Sequence, residues 1–418
     1  AEGSGRPLAQ DRDARLLDKD MTMDPGEPGD KLRGGFPGTA IKPARQLAAD
    51  ANDEAATLTE RQEALRKLNE SAQLFVSAGE ILEAARVLNR VGHLQLILNS
   101  PLDAITSHNK ALELLKQSPS IQVEVDNLNG LAAALILQQD KSLVEPTLNR
   151  AISLSEQSSY TAGHAQALLT LSRRYNFDDH ARALSTAQNS LNLWKSIGDK
   201  RGIARAYEQV GICYRALNVL LGATQSFEQA LPLWQELNDS AQQATALIML
   251  GFIDLRKAEW QSSISRFVQA QGLIDEAAEP QKMGQIACGM AEVYNEYNLP
   301  EHGLTNYKRA LTYYQQTQDA HLIWYATWGL GWTHYLLHQY PEALSYLQQS
   351  LTHADSDSGP EAALTREYIA MVRLETGEYP AALQDLQFAF DVYTRAVNPF
   401  EAARVQGLIG QVLEQQGQ

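Results

Sequence analysis

The stretch that decides the fold is SFEQALPLWQELND, from Ser226 to Asp239. A closely similar segment, TAQNSLNLWKSIGD, lies forty residues earlier at 186–199, and another, NYKRALTYYQQTQD, lies eighty residues later at 306–319. A segment that returns at a fixed interval of this length is typical of a repeat architecture. Each copy is then one part of an array rather than a separate domain.

Small residues recur with the same period in three registers. The first register holds only Gly, Ala or Ser, at steps of 40 residues with two steps of 39: Gly92, Ala132, Ser172, Gly211, Gly251, Ala291, Gly331, Ala370 and Gly410. The second begins at Ala104 and ends at Ala382, and the third begins at Ala111 and ends at Ala389. Small side chains allow two helix axes to approach closely, so these registers mark helix–helix contacts.

The residues between the small positions predict two helices in each repeat. Large apolar residues follow the helical spacing i, i+3, i+4, i+7, as with Phe227, Phe267, Tyr307 and Leu347. Gly-Asp, Asn-Asp or Pro separates the segments, for example at 198–199 and at Pro300. No alternating strand pattern occurs. We therefore expect an all-α solenoid of antiparallel helix pairs, with helices of about 17 residues.

The two ends of the chain differ from this pattern. Residues 1–42 are crowded with Gly, Pro and charge, and we expect a flexible arm there. We expect residues 43–417 to form about eight to nine repeats. The last segment, GLIGQVLEQQGQ, is predicted to be the first helix of a repeat whose second helix would follow residue 418. The sequence therefore predicts a truncated last repeat in a natural protein that continues further.

Composition limits the classes of function. The 418 residues carry a net charge of −15, which disfavours a nucleic-acid partner because no basic surplus displaces counterions. No apolar run is long enough to span a membrane. Cys213 and Cys288 are expected to be small buried residues. We expect a cytoplasmic protein, and export after removal of a signal peptide stays an open alternative because the chain begins Ala-Glu.

The repeat resembles the tetratricopeptide repeat, a helix–turn–helix element. The segments LGFIDLRKAEWQSSISRFVQAQGL (250–273) and LGWTHYLLHQYPEALSYLQQSL (330–351) carry the resemblance, with matches at Leu330, Gly331, Tyr340, Ala343, Leu344, Leu347 and Ser350. It covers residues 57–417 and implies a right-handed superhelix. The 40-residue period resembles Pins-type scaffolds, Rap-type peptide sensors and the arrays that precede bacterial CHAT caspase-like protease domains.

No catalytic constellation is evident. His334 and His338 are four residues apart on one predicted helix, but HYLLH lacks the Glu of a zincin and a third ligand. His334 instead occupies the position that Tyr214 and Tyr294 hold in other repeats, which is expected to be a packing position. There is no nucleophile elbow and no phosphate-binding loop. We expect no cofactor, no metal and no enzymatic activity in this chain.

The resemblance implies that the first helix of each repeat lines a concave groove, with exposed positions at −6, −3, +1, +4 and +5 from the first small residue. These positions predict a partner-binding set of Asn129, Arg173, Asn176, Arg205, Glu208, Arg215, Arg256, Tyr325, Trp328, Trp332 and Tyr335, with Gln285, Glu292, Asn295 and Glu296 between the arginines and the aromatic residues. Arginine and aromatic side chains are common anchors of a bound chain. Two alternatives stay open: the tryptophans pack against the neighbouring repeat, or the arginines are merely solvated.

Two functions follow from this pattern. The first is a scaffold that binds a peptide segment or protein partner, with an acidic segment favoured by the arginines. The second is a sensor arm that controls an effector domain beyond residue 418, such as a CHAT domain. The sequence does not decide between them, and it gives no oligomeric state.

Overall fold

In the computed structural model, the described residues are 40–52, 58–138, 140–276, 279–396 and 398–417. Every regular element within these ranges is an α-helix. The helices are α1 (Ile41–Asp50), α2 (Leu58–Ser77), α3 (Ile81–Ile97), α4 (Pro101–Leu115), α5 (Ile121–Leu137), α6 (Lys141–Gln157), α7 (Thr161–Tyr175), α8 (His180–Ile197), α9 (Lys200–Ala216), α10 (Leu220–Glu236), α11 (Ser240–Arg256), α12 (Trp260–Gln271), α13 (Pro280–Glu296), α14 (Pro300–Thr317), α15 (Ala320–Leu336), α16 (Tyr340–Leu351), α17 (Pro360–Glu375), α18 (Tyr379–Arg395) and α19 (Pro399–Gln415). The predicted all-helical fold is confirmed.

The predicted boundary of the N-terminal arm, residue 42, lies in the first turn of α1. Residues 1–39 of the predicted arm lie outside the described residues. Helix α1 begins at Ile41, and Ser71 of α2 donates a hydrogen bond to the carbonyl oxygen of Ala44 at 2.7 Å. A helix pair therefore precedes α3, the first helix that carries a small residue of the first register.

The chain divides into two compact bodies. The N-terminal body ends at Asp239 and contains α1 to α10; the C-terminal body begins at Ser240 and contains α11 to α19. In each body, consecutive helices pack together. First helices of successive repeats also contact each other, as α5 contacts α7 and α13 contacts α15. Within the described ranges, no helix is both long and apolar enough to cross a membrane.

The small registers lie where the two helices of a repeat meet. A Cβ atom added to Gly251 of α11 would stand 2.8 Å from Cε1 of Phe267 in α12. The equivalent atom on Gly211 would stand 2.7 Å from Cε2 of Phe227. Both distances are shorter than a normal carbon–carbon contact, so a glycine is needed for each ring to lie against the helix backbone.

A second set of glycines, which the sequence analysis missed, joins successive repeats. The ring of Phe267 also lies against Gly289 of α13, and the ring of Tyr307 lies against Gly329 of α15. The Phe267 ring is thus held between Gly251 in the first helix of its own repeat and Gly289 in the first helix of the next. Glycine recurs two residues before the first small register in only some repeats, so the periodicity did not reveal this contact.

Most of the described turns between paired helices contain a left-handed residue. Seven residues after the small residue of the first register, φ is positive at seven described positions: Asn99, Asn218, Ala258, Asn298, His338, Gly377 and Gly417. Asn and Gly adopt this conformation most readily. His338 therefore lies in a turn after α15, which ends at Leu336, and the prediction that it shares a helix with His334 is wrong.

Helix length departs from the expected value at two places. Most helices of the repeats have 15 to 18 residues, but α12 and α16 have only 12. Both are second helices in the C-terminal body. Their small residues Ala270 and Ser350 are nevertheless fully buried, so the close helix contact is kept and only the last turn is missing.

Candidate binding surface

The first helices α3, α5, α7 and α9 form a row in the N-terminal body, because each contacts the next. Burial, the neighbouring His108 and the charge of Arg205 together lower the pKa of His93 to about 3. His93 lies on α3 and Arg205 on α9, three repeats further along. The row thus spans four successive repeats of the N-terminal body.

Most of the predicted binding residues of this body are buried. Asn129, Arg173, Asn176, Glu208 and Arg215 are between 1% and 9% exposed. The prediction that they are exposed is wrong, because neighbouring first helices pack too closely to leave these positions open. Arg205 is half-buried and is the member of the set that reaches the surface of the N-terminal body.

Two of the buried residues have structural partners. The Asn129 side-chain amide on α5 donates a hydrogen bond to the carbonyl oxygen of Gly163 on α7 at 3.1 Å. Glu208 on α9 accepts a hydrogen bond from the indole nitrogen of Trp234 on α10 at 2.8 Å. The first bond joins successive repeats, and the second joins the two helices of one repeat.

In the C-terminal body, the predicted aromatic cluster is mostly packed inside. Trp328 and Trp332 are 4% and 2% exposed, and their stacked rings are 5.8 Å apart. Tyr368 of α17 meets the Trp328 ring edge-on at 5.1 Å. The expectation of exposure is therefore wrong for both tryptophans. Trp328 instead packs against the neighbouring repeat, which was the alternative left open by the sequence, because its ring contacts Tyr368 on the first helix of that repeat.

Tyr325 and Tyr335 of α15 are half-buried and remain partly accessible. The Tyr325 hydroxyl donates a hydrogen bond to the Glu292 carboxylate on α13. Burial and this carboxylate raise the pKa of Tyr325 well above its usual value, while burial and the charge of Glu375 raise the pKa of Tyr335 to about 12. Both phenols therefore stay protonated and act as donors near neutral pH.

The residues predicted between the arginines and the aromatic cluster fall into two groups. Gln285, Glu292 and Asn295 are buried, and the Asn295 amide donates to the Thr333 hydroxyl on α15 at 2.8 Å. Arg256 and Glu296 are half-buried. Polar residues in this part thus serve partly to join first helices, as Asn129 does in the N-terminal body.

Comparisons with known proteins place the fold. No family profile and no curated protein sequence match the chain. Among solved structures, a Rap protein complexed with Competence and Sporulation Factor has a TM-score of 0.56 at 10% identity, covering 80% of this chain and 98% of that one. A STAND protein from Pyrococcus horikoshii with a tetratricopeptide repeat sensor has a TM-score of 0.51 at 14% identity, covering 81% of this chain and 55% of that one. The chain has a tetratricopeptide-type repeat fold.

A third structure agrees with this assignment. The apo form of the quorum sensor NprR from B. thuringiensis matches the tetratricopeptide-type array with a TM-score of 0.55 at 10% identity, over 79% of this chain and 99% of that one. At these identities the likeness establishes the fold alone.

The side chains of Cys213, Cys288 and His334 serve in packing. Burial raises the pKa of the Cys213 thiol to about 11 and raises that of Cys288 as well, so neither is an activated thiolate. His334 stacks on Tyr346 and bonds Gln339 at 2.6 Å. In the part of the chain that the structure describes, no three His, Cys, Asp or Glu residues are placed to hold a metal ion.

Other contacts between first helices involve Trp324, Thr365 and Gln209, which sequence reasoning did not single out. Trp324 of α15 donates to the Thr365 hydroxyl of α17 at 3.1 Å, and Gln209 of α9 donates to the Ser172 hydroxyl of α7 at 3.1 Å. Buried threonine and glutamine have no distinctive spacing here. No sequence signal could have identified these pairs.

Proposed function

We propose that this tetratricopeptide-type chain binds a peptide, or an extended segment of a protein partner, against the first-helix side of the N-terminal body. The observation that carries the proposal is the row of first helices α3, α5, α7 and α9, each in contact with the next, with Arg205 half-buried on it. Such a row of helices offers an extended segment contacts from several repeats at once. The likeness to a Rap protein bound to Competence and Sporulation Factor, and to the quorum sensor NprR, supports the same role.

The partner segment is proposed to be acidic. Arg205 is half-buried on this surface, and a guanidinium there attracts a carboxylate with a strength that salt reduces. The C-terminal body offers a different set of anchors, the half-buried phenols of Tyr325 and Tyr335 on α15. Aromatic residues that are partly accessible frequently carry binding energy at interfaces.

A selection from a random peptide library, followed by hydrogen exchange with the selected peptide, tests the proposal. The peptide is expected to increase protection in α3, α5, α7 and α9, because these helices line the proposed surface. The second helices α4, α6 and α8 serve as internal controls and are expected to change little. Protection confined to the second helices, or a selection that yields no specific peptide, would contradict the proposal.

We also propose that the chain acts by binding and has no catalytic activity, cofactor or nucleic-acid partner of its own. The buried, unactivated thiols support this view. The net charge of −15 supports the absence of a nucleic-acid partner.

A sensor role is the second candidate, and the likeness to the tetratricopeptide repeat sensor of a STAND protein favours it. This chain covers 55% of that protein, so the activity of a larger assembly is not transferred by the likeness. Association with a CHAT domain stays a prediction. The coding sequence that follows residue 418 tests it, since a CHAT protease requires a His–Cys pair on an α/β domain.

A further inference from the structure

The repeat formed by α3 and α4 contains a pair of histidines where another repeat has phenylalanines. The rings of His93 and His108 meet edge-on with centroids 5.5 Å apart and an interplanar angle of 78°. Phe252 and Phe267 meet in the same way at 5.2 Å and 76°. The two pairs occupy equivalent positions, one and sixteen residues after Gly92 and Gly251.

His108 is fully buried in a place shaped for an apolar ring. It lies between Gly92 of α3 and Gly130 of α5, as Phe267 lies between Gly251 and Gly289. The equivalent positions in the other repeats, counted three residues before the third small register, hold buried apolar or aromatic side chains: Leu148, Ala187, Phe227, Phe267, Tyr307, Leu347 and Leu386. His108 is thus the one titratable imidazole among these eight described positions.

The hydrogen bonds around His108 fix its neutral form. Its Nδ1 atom lies 3.1 Å from Oδ1 of Asn127, whose amide nitrogen donates to the carbonyl oxygen of Val123 at 2.9 Å. Because Asn127 Oδ1 is an acceptor, His108 carries its proton on Nδ1. The other ring nitrogen, Nε2, is buried and has no hydrogen-bond partner in the described part of the chain.

His93 is equally unsuited to carry a charge. It is 8% exposed, and within the described residues neither ring nitrogen has a hydrogen-bond partner. The charged or titratable groups that act on the two rings are the rings themselves and Arg205 of α9, a cation. On the α5 side, the group in contact with the pair is the neutral amide of Asn127. Among the described residues that act on these rings, none is a carboxylate that would offset an added proton.

We propose that the His93–His108 pair is an acid-sensitive contact that releases α3 and α4 from α5 when the rings are protonated. The added proton on His108 Nε2 faces helix backbone at Gly92 and Gly130, so the charged ring reaches water only if these helices separate. In a repeat array each helix pair contacts mainly its neighbours, so the opening is local.

The direction of the pH effect follows from the two pKa values. Burial lowers the pKa of His93 to about 3 and that of His108 to about 4, below the usual histidine value of 6.5. The neutral rings therefore contribute full stability above pH 6.5, and that stability is lost as the pH falls below it toward these lower values. At pH 5 protonation favours the open form by about thirtyfold for each histidine and about a thousandfold for both.

Hydrogen exchange of the whole chain at pH 7.5 and pH 5.0, corrected for the intrinsic exchange rate, tests the proposal. Protection in α3, α4 and α5 is expected to fall by about a hundredfold or more at pH 5.0. Helices α9 and α10 of the same body provide the internal control, because Phe227 fills the equivalent place against Gly211. Their protection is expected to change by less than about threefold. Equal protection of α3–α5 at both pH values would overturn the proposal.

The double variant His93→Phe with His108→Phe is the matched control, since the chain already places the Phe252–Phe267 pair at equivalent positions. Its α3–α5 protection is expected to be the same at both pH values. An acid-induced loss as large as in the wild type would overturn the proposal. If the double variant does not fold, the wild-type comparison between α3–α5 and α9–α10 decides the question by itself.

Discussion

The indole nitrogen of Trp234 on α10 donates a buried hydrogen bond of 2.8 Å to the carboxylate oxygen Oε1 of Glu208 on α9. Arg201 of α9 also lies over the Trp234 ring, with its guanidinium carbon 5.8 Å from the ring centroid. A carboxylate that the sequence suggested for partner binding therefore belongs to the contact between the two helices of a repeat.

A double-mutant cycle with Glu208→Ala and Trp234→Phe measures this contact. A charge-assisted buried bond predicts a coupling of about 1–2 kcal/mol in the free energy of unfolding. Urea melts of the four proteins provide the values. A coupling within about 0.3 kcal/mol of zero would show that the bond does not stabilise the repeat.

Replacement of glycine by alanine in the first small register is expected to change the stability of the protein in opposite directions at two positions. Gly251→Ala is expected to destabilise the protein by about 1–3 kcal/mol, because the new methyl group would press on the Phe267 ring at 2.8 Å. Gly410→Ala is the matched control, since no atom lies within 4 Å of its added Cβ in the described structure. It is expected to stabilise by up to about 1 kcal/mol through helix propensity. Equal effects in urea melts would mean that the register does not mark a close contact.

The turns between paired helices give a third prediction. Ala258 has a φ of 58° and Gly377 a φ of 79° at equivalent positions. Ala258→Gly is expected to stabilise by about 0.5–1 kcal/mol because glycine adopts this conformation without strain, whereas Gly377→Ala is expected to destabilise by about 1 kcal/mol. Thermal melts measure both. A loss of stability in Ala258→Gly would indicate that relief of backbone strain does not control the stability of this turn.

The sequence predicted the contacts inside a repeat well. Small residues such as Ala310 and Ala389 are fully buried where paired helices meet, and Phe227 and Phe267 fill the spaces opposite glycine. These contacts obey a period of 40 residues because every repeat makes the same contact. Periodicity is therefore sufficient to locate them.

Exposure on the first helices was predicted less well. Whether a position such as Arg215 or Trp332 reaches solvent depends on how closely one first helix approaches the next, and spacing along the chain does not record that distance. Both are buried, whereas Arg205 and Tyr335 are half-buried. The bond from Asn129 to Gly163 ends on a backbone carbonyl, which leaves no trace in the side-chain pattern.

The affinity of a selected acidic peptide for Arg205→Glu, compared with Lys110→Glu, tests the proposed binding surface most directly. Both variants change one charge from +1 to −1, but Arg205 lies on the first-helix side of the N-terminal body and Lys110 is exposed on the second helix α4. With unchanged helical content and melting temperature, Arg205→Glu is expected to weaken binding at least about tenfold at low salt, and Lys110→Glu by less than about twofold. Equal affinity of the two folded variants would contradict binding on the first-helix side.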